Sequence, residues 1–210
     1  MKIAISGMVA SGKSTLTKKL HTEYFKNSFM LKEYEEDDEV FEKLLKWKLE
    51  KKPNVVLPFE VYIMDNHIEK MKKLYKEYLA KDNYYIFSDR FSIEHQIFAI
   101  TAFEKEPHKH KTYLDVVNSI IVPEVLPDYI FYLDVTYETF EKRFLKRQYK
   151  SEMDTYHKNK EAFKKLHTIY KENFVNLCKE FNLKYHIVDV NNLDENEVAQ
   201  KVASLIQNLK

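Results

Sequence analysis

Short apolar runs alternate with longer amphipathic stretches along the whole chain. Residues 2–6, 29–31, 84–87, 129–133 and 184–188 are compact runs of aliphatic and aromatic side chains, each too short for a helix, and each predicts a buried strand. Between them the apolar positions recur at three- and four-residue spacing, predicting helices over 14–26, 40–51, 58–80, 92–103, 112–122, 136–147, 156–182 and 194–208. In the first of these, Leu16, Leu20 and Tyr24 share one stripe. Strands separated by helices pair in parallel, because each crossover returns the chain to the same end of the sheet. The expected fold is therefore three-layer α/β, a five-stranded parallel sheet flanked by helices, with ligands at the carboxyl ends of the strands.

Composition narrows the picture. A chain of 210 residues with 44% hydrophobic content is expected to form one domain over 1–210 with a substantial core. Its 34 lysines and arginines against 33 acids leave a net charge of +1, which excludes the general basic excess of a non-specific nucleic-acid binder. A single cysteine, Cys178, permits no intrachain disulfide and fits the cytoplasm. Met1-Lys2-Ile3 opens a strand, no signal peptide is read there, and no apolar stretch is long enough to span a bilayer, so no membrane partner is expected. His108 and His110, after Pro107 in an expected loop, and His157 and His167 are read as surface residues. They lack any standard zinc spacing, and no transition metal is expected.

Glycine use points to the chemistry. The chain holds two glycines, Gly7 and Gly12, and both frame Gly7-Met8-Val9-Ala10-Ser11-Gly12-Lys13-Ser14, which fits the phosphate-binding loop G-x-x-x-x-G-K-[ST]. A strand precedes it and a helix beginning near Ser14 and Thr15 follows, as the motif requires. Backbone N–H groups of such a loop encircle phosphate oxygens, Lys13 reaches the transferred phosphate, and the Ser14 hydroxyl ligates Mg²⁺. The expectation is a nucleoside triphosphate, ATP, with Mg²⁺.

Other predicted strand ends carry further charge: Glu33-Tyr34-Glu35-Glu36-Asp37-Asp38 after the second, and Ser88-Asp89-Arg90 after the third. Late in the chain comes a basic segment with Arg143, Lys146, Arg147 and Lys150. This order, with the phosphate loop at the N-terminus, resembles the deoxynucleoside kinases, particularly small bacterial members acting on deoxyadenosine or deoxyguanosine. The resemblance implies transfer of the γ-phosphoryl of ATP to a deoxynucleoside 5′-hydroxyl. Glu33 takes the place of the family's general base, although the usual following proline is Tyr34. Asp89-Arg90 matches its acid–arginine pair, Arg90 holding the 5′-oxygen and phosphate and Asp89 contacting Mg²⁺ through water.

Further roles follow from the same resemblance. Phe98 falls where an aromatic meets the nucleobase. The base-reading positions are Phe59, Glu60, His67 and Glu94, with Glu60 in place of an amide and His67 in place of an arginine. An ionised Glu60 offers acceptors only and so favours guanine, which presents two adjacent donors. A purine deoxynucleoside is expected, deoxyguanosine ahead of deoxyadenosine. Trp47 stands in the region of the sugar contact and is equally suited to packing a helix interior. A lid over about 143–154 supplies Arg143, Arg147 and Lys150 to the phosphates and Glu152 to the sugar. The resemblance also implies a homodimer. Two alternatives stand beside this reading: a thymidylate-type monophosphate kinase, and a nucleotide-binding regulator without catalysis. The acidic run from Glu33 to Asp38 argues against the first, and the intact Glu33, Asp89 and Arg90 against the second.

Overall fold

The computed structural model describes residues 1–33, 38–79, 84–146 and 150–209, without the side chains of 150–155, 157 and 158. Its strands are β1 (Lys2–Gly7), β2 (Ser28–Leu31), β3 (Tyr85–Asp89), β4 (Tyr129–Asp134) and β5 (Tyr185–Asp189), in the order β2-β3-β1-β4-β5. Every neighbouring pair is parallel, and the expected α/β fold is the one observed. All six residues of β1 are buried, because the central strand of a parallel sheet has helices over both faces and no wet side.

Eight α-helices are found among the described residues: α1 (Lys13–Lys19), α2 (Glu39–Leu49), α3 (Val56–Leu79), α4 (Gln96–Ala102), α5 (Pro107–Ile120), α6 (Tyr137–Lys146), α7 (Lys150–Glu180) and α8 (Glu195–Gln207). The larger apolar cluster joins β1 and β4 to α1, α6, α7 and α8 through Leu16, Phe131, Phe140, Phe174 and Val202. A smaller one, with Leu31, Met64, Ile68, Phe103 and Tyr113, ties α3, α4 and α5 to the β2–β3 side. Asp194 and Glu197 form a capping box at the start of α8, each satisfying a backbone N–H of the first turn.

Several expectations are corrected. The first helix keeps its α form only to Lys19, and a π-turn over Leu20–Tyr24 follows. The wider turn shifts the phase of the stripe, so Leu16 and Leu20 are buried while Tyr24 is exposed. The segment after β3 is a 3₁₀ turn (Ser92–His95) leading into α4, where one continuous helix was expected. Pro107 opens α5 instead of a loop, since its missing N–H costs nothing in a helix's first turn. His110 consequently lies within α5, its ring stacked on Phe103 and Tyr113, and is half-buried where a surface residue was expected; His108 is exposed. His167 is half-buried too, against the Val135 carbonyl. The helix expected from 156 starts at Lys150. Trp47 is 43% exposed on α2, a helix that buries no residue, so it does not pack a helix interior.

Candidate active site

The register of the sheet assembles the site. Ile5 pairs with Asp89 and Gly7 with Leu133, so β1 delivers the phosphate loop between the carboxyl ends of β3 and β4. Gly7 has φ +138°, and a Cβ there would lie 2.7 Å from the Leu133 carbonyl oxygen, a main-chain atom that cannot give way. Gly12 has open space around it but φ +102°, at the N-cap of α1. One glycine is thus required by close approach and the other by conformation. Ala10 also takes a positive φ, of 58°, inside the loop.

Lys13 is buried, and its ammonium donates to the Met8 carbonyl at 3.0 Å across the loop. Burial, with the Arg90 charge adding to it, lowers its pKa to about 8. Asp89 is pushed the other way, upward, chiefly by burial, with Glu33 contributing and Lys13 opposing. The Ser14 side chain hydrogen-bonds Asp89, whose Oδ1 is buried without a partner among the described residues. A hydroxyl beside a carboxylate with an unused oxygen suits a hard cation such as Mg²⁺, which binds through one or two carboxylates with phosphates and water completing its shell. Among the described residues no group of three His, Cys, Asp or Glu is arranged to hold a metal ion.

Arg90 is the centre of the buried charge. Its φ of +69° is a strained conformation for a side-chain-bearing residue, held while its N–H still bonds the Ile5 carbonyl at 2.9 Å. The guanidinium Nε donates to Glu33 Oε1 at 2.8 Å, and Nη1 donates to the Gly7 carbonyl at 3.0 Å and to Glu94 Oε1 at 2.7 Å. Nη1 also meets the Tyr170 hydroxyl, which in turn donates to Glu94 Oε1 at 2.6 Å. Burial opposes the Arg90 charge, but Glu33, Tyr170, Glu94 and Asp89 more than compensate and hold its pKa well above the ordinary value. Phe98 lies face-on to this group, its ring centroid 4.9 Å from the guanidinium carbon.

Glu94, expected at the base, keeps one carboxylate oxygen, Oε2, buried without a partner among the described residues. Fully buried, it gives Oε1 to Arg90, to Tyr170 and to the Gly7 N–H at 3.2 Å, so it braces the phosphate loop and the arginine. Arg143 on α6 donates to the Ser11 carbonyl at 3.1 Å and to the Val190 carbonyl at 2.6 Å, tying the phosphate loop to the segment after β5. Arg147 and the side chains of Lys150 and Glu152 lie outside the described residues, as do Tyr34, Glu35, Glu36 and Asp37.

The second wall is formed by α2 and α3. Phe59, Glu60 and His67 are buried on α3. Lys48 from α2 pairs with Glu60 Oε1 at 2.5 Å and lies 4.3 Å from the Phe59 ring centroid. His67 Nδ1 lies 3.5 Å from His95 Nε2, and burial keeps both rings neutral, lowering His67 to about 3. Asp38 N-caps α2 and accepts from Tyr62 and Asn66, each at 2.7 Å.

Sequence reasoning missed Lys48, His95 and Tyr170. Lys48 is one lysine among many, and Tyr170 sits in the apolar stripe of a long helix, where its ring alone explains it. A usable signal was arginine scarcity: only three of the 34 lysines and arginines are arginines, and Arg90 and Arg143 both reach the phosphate loop.

Comparison with known proteins places the chain by family and by fold. A profile of the deoxynucleoside kinase family matches residues 3–209. An uncharacterised protein of Mycoplasma pneumoniae is 28% identical over 194 residues, covering 90% of this chain and 82% of its own. One of Mycoplasma genitalium is 26% identical over 193 residues, covering 89% and 82%. A structure of deoxyadenosine kinase from M. mycoides with dCMP and dCDP bound superposes with a TM-score of 0.79 at 22% identity, covering all of both chains. The same enzyme with bound dATP gives a TM-score of 0.71 at 22% identity over 99% of this chain and all of the other.

Proposed function

The chain belongs to the deoxynucleoside kinase family and is an ATP-dependent nucleoside kinase, and on that premise we propose that it phosphorylates the 5′-hydroxyl of a purine deoxynucleoside, with Glu33 as general base. The observation that carries this reading is the Glu33–Arg90 pair at 2.8 Å, beside the phosphate loop at the carboxyl end of β3. A 5′-hydroxyl approaching Glu33 gives its proton to the carboxylate as its oxygen attacks the γ-phosphorus and the bond from that phosphorus to ADP breaks, while Arg90 orients the carboxylate and offsets charge on the transferring group. An acceptor that already carried a phosphate would be repelled by Glu33, which disfavours a monophosphate kinase.

Gly7 to Thr15 cradle the ATP phosphates, and Lys13 exchanges the Met8 carbonyl for a phosphate oxygen, where its charge is better compensated. Ser14 and Asp89 would hold Mg²⁺, which would supply charge neutralisation for the phosphates. Arg143, Arg147 and Lys150 belong to a lid over 143–154 that closes on the phosphates, with Glu152 at the sugar. Phe59, Glu60, His67 and Phe98 line the base. Chemistry of this kind proceeds by excluding water and positioning charge, which a closing lid provides. The unit 1–210 acts as one kinase domain, cytoplasmic and homodimeric by family resemblance. No helix among the described residues is long and apolar enough to cross a membrane, and sedimentation velocity reads the dimer directly.

The test is product formation from ATP and Mg²⁺ with deoxynucleosides or their monophosphates, comparing wild type with Glu33→Gln. Monophosphate forms from deoxynucleosides, and kcat falls in the variant by about 10²–10⁴-fold while the fold is retained. Phosphorylation of monophosphates alone would remove Glu33 from its role.

A further inference from the structure

α3 buries two polar side chains, Glu60 and His67, on one stripe, which a helix packed only against an apolar core would not carry. Glu60, Met64 and His67 recur at four- and three-residue steps, and all three are essentially inaccessible. At one end His67 meets His95, and His67 Nε2 is left buried without a partner among the described residues. Polar groups in such positions are ordinarily satisfied, so an unpartnered one on this stripe indicates a face built to receive something else.

At the other end the Glu60 side chain is 2% exposed, while Lys48, which pairs with it, keeps 28%. The pair thus has a dry carboxylate and a wetter ammonium. Lys48 has three N–H donors and spends one on Glu60 Oε1. An isolated carboxylate offers acceptors only, and that is the ground on which Glu60 favours guanine. With Lys48 against it, the same position offers a donor and an acceptor side by side, as an amide does.

We propose that Lys48 is a specificity-determining residue, and that the Lys48–Glu60 pair reads the nucleobase as one donor–acceptor unit. The ammonium donates to a ring nitrogen, and Glu60 accepts from the exocyclic amine next to it. Adenine has that edge, and cytosine has the same pattern. Without Lys48, the ring nitrogen lone pair would face a carboxylate oxygen, which penalises adenine, whereas the two adjacent donors of guanine would satisfy both oxygens. Lys48 therefore reverses the order expected from Glu60 alone and puts deoxyadenosine ahead of deoxyguanosine. This rests on the reading above in which Glu60 faces the base. A purely structural ion pair, by contrast, would affect all acceptors alike.

The experiment measures kcat/KM for deoxyadenosine and deoxyguanosine with wild type, Lys48→Met and Lys48→Met/Glu60→Gln. The deoxyadenosine-to-deoxyguanosine ratio should fall at least about tenfold in Lys48→Met. It should return in the double variant, whose amide supplies donor and acceptor in one neutral group. An unchanged ratio in Lys48→Met, both nucleosides losing equally, overturns the proposal. So does a double variant whose ratio stays below that of wild type. Should the bare carboxylate prevent Lys48→Met from folding, Lys48→Met/Glu60→Met, which removes donor and acceptor together and leaves no buried charge, replaces it: its ratio should fall toward equality, and a ratio equal to that of wild type overturns the proposal. Absence of monophosphate from any deoxynucleoside with wild type would instead bring down the kinase reading, and this inference with it.

Discussion

The phosphate corner and the wall of α2 and α3 are both buried and polar, yet they manage charge in opposite ways. In the corner, Arg90 is kept ionised by the surrounding carboxylates and the Tyr170 hydroxyl, and Lys13 is held charged only up to about pH 8. Along the wall, His67 and His95 are kept neutral by the same burial, and the Lys48–Glu60 ion pair has one end open to water. On the function proposed above, the difference follows from what each meets. A region built to stabilise developing phosphoryl charge gains from fixed cations, whereas one that recognises a neutral base gains from directional donors and acceptors.

The sharpest way to break this comparison is to remove charge from the corner. Glu94→Ala leaves Arg90 and Tyr170 with one fewer buried partner, and chemical denaturation should show a loss of about 3–5 kcal/mol. A loss near zero would mean the corner is not an obligate network. The wall should reveal itself through acid. Because folding lowers the pKa values of His67 and His95, the unfolded chain binds more protons below about pH 6.5, and stability declines as pH falls from there toward about 3. His67 contributes a slope of roughly 1.4 kcal/mol per pH unit within that window, and His95 acts in the same direction. A His67→Asn/His95→Asn variant should have a flatter profile, and an identical slope would contradict neutral burial.

The smallest effect concerns Lys13. A triphosphate favours its ammonium form, so ATP binding takes up a proton at pH values above about 8 and weakens there, by up to about tenfold per pH unit. Calorimetry in buffers of different ionisation enthalpy measures that proton directly. No uptake at pH 9 would show that Lys13 remains charged in the free protein.

The two regions were also unequally legible. The corner is written in short spacings: Gly7 to Ser14 within one loop, Asp89-Arg90 at one strand end, and each residue type is tied to its chemistry. The wall is not. Glu60 and His67 could be put on one face of α3 by periodicity, but Lys48 reaches Glu60 from another helix, and nothing in the lysine pattern distinguishes it. Glu94 illustrates the same limit, since a one-residue step along the 3₁₀ turn separates the side chain that braces Arg90 from His95, which faces α3. Helix boundaries erred where backbone geometry overrode apolar spacing, at the π-turn after Lys19 and at the start of α5 on Pro107.

By itself the sequence determined the parallel α/β sheet and the phosphate loop, because alternation of buried strands with amphipathic helices and the positions of two glycines are local properties of the chain. Tertiary structure alone decided which partners the charges keep. Tyr170 meets Arg90, Arg143 meets the phosphate loop and Lys48 meets Glu60 across separate elements. Such pairings depend on how helices cross and on which side chains burial leaves in need of a counter-charge, and no spacing along the chain encodes them.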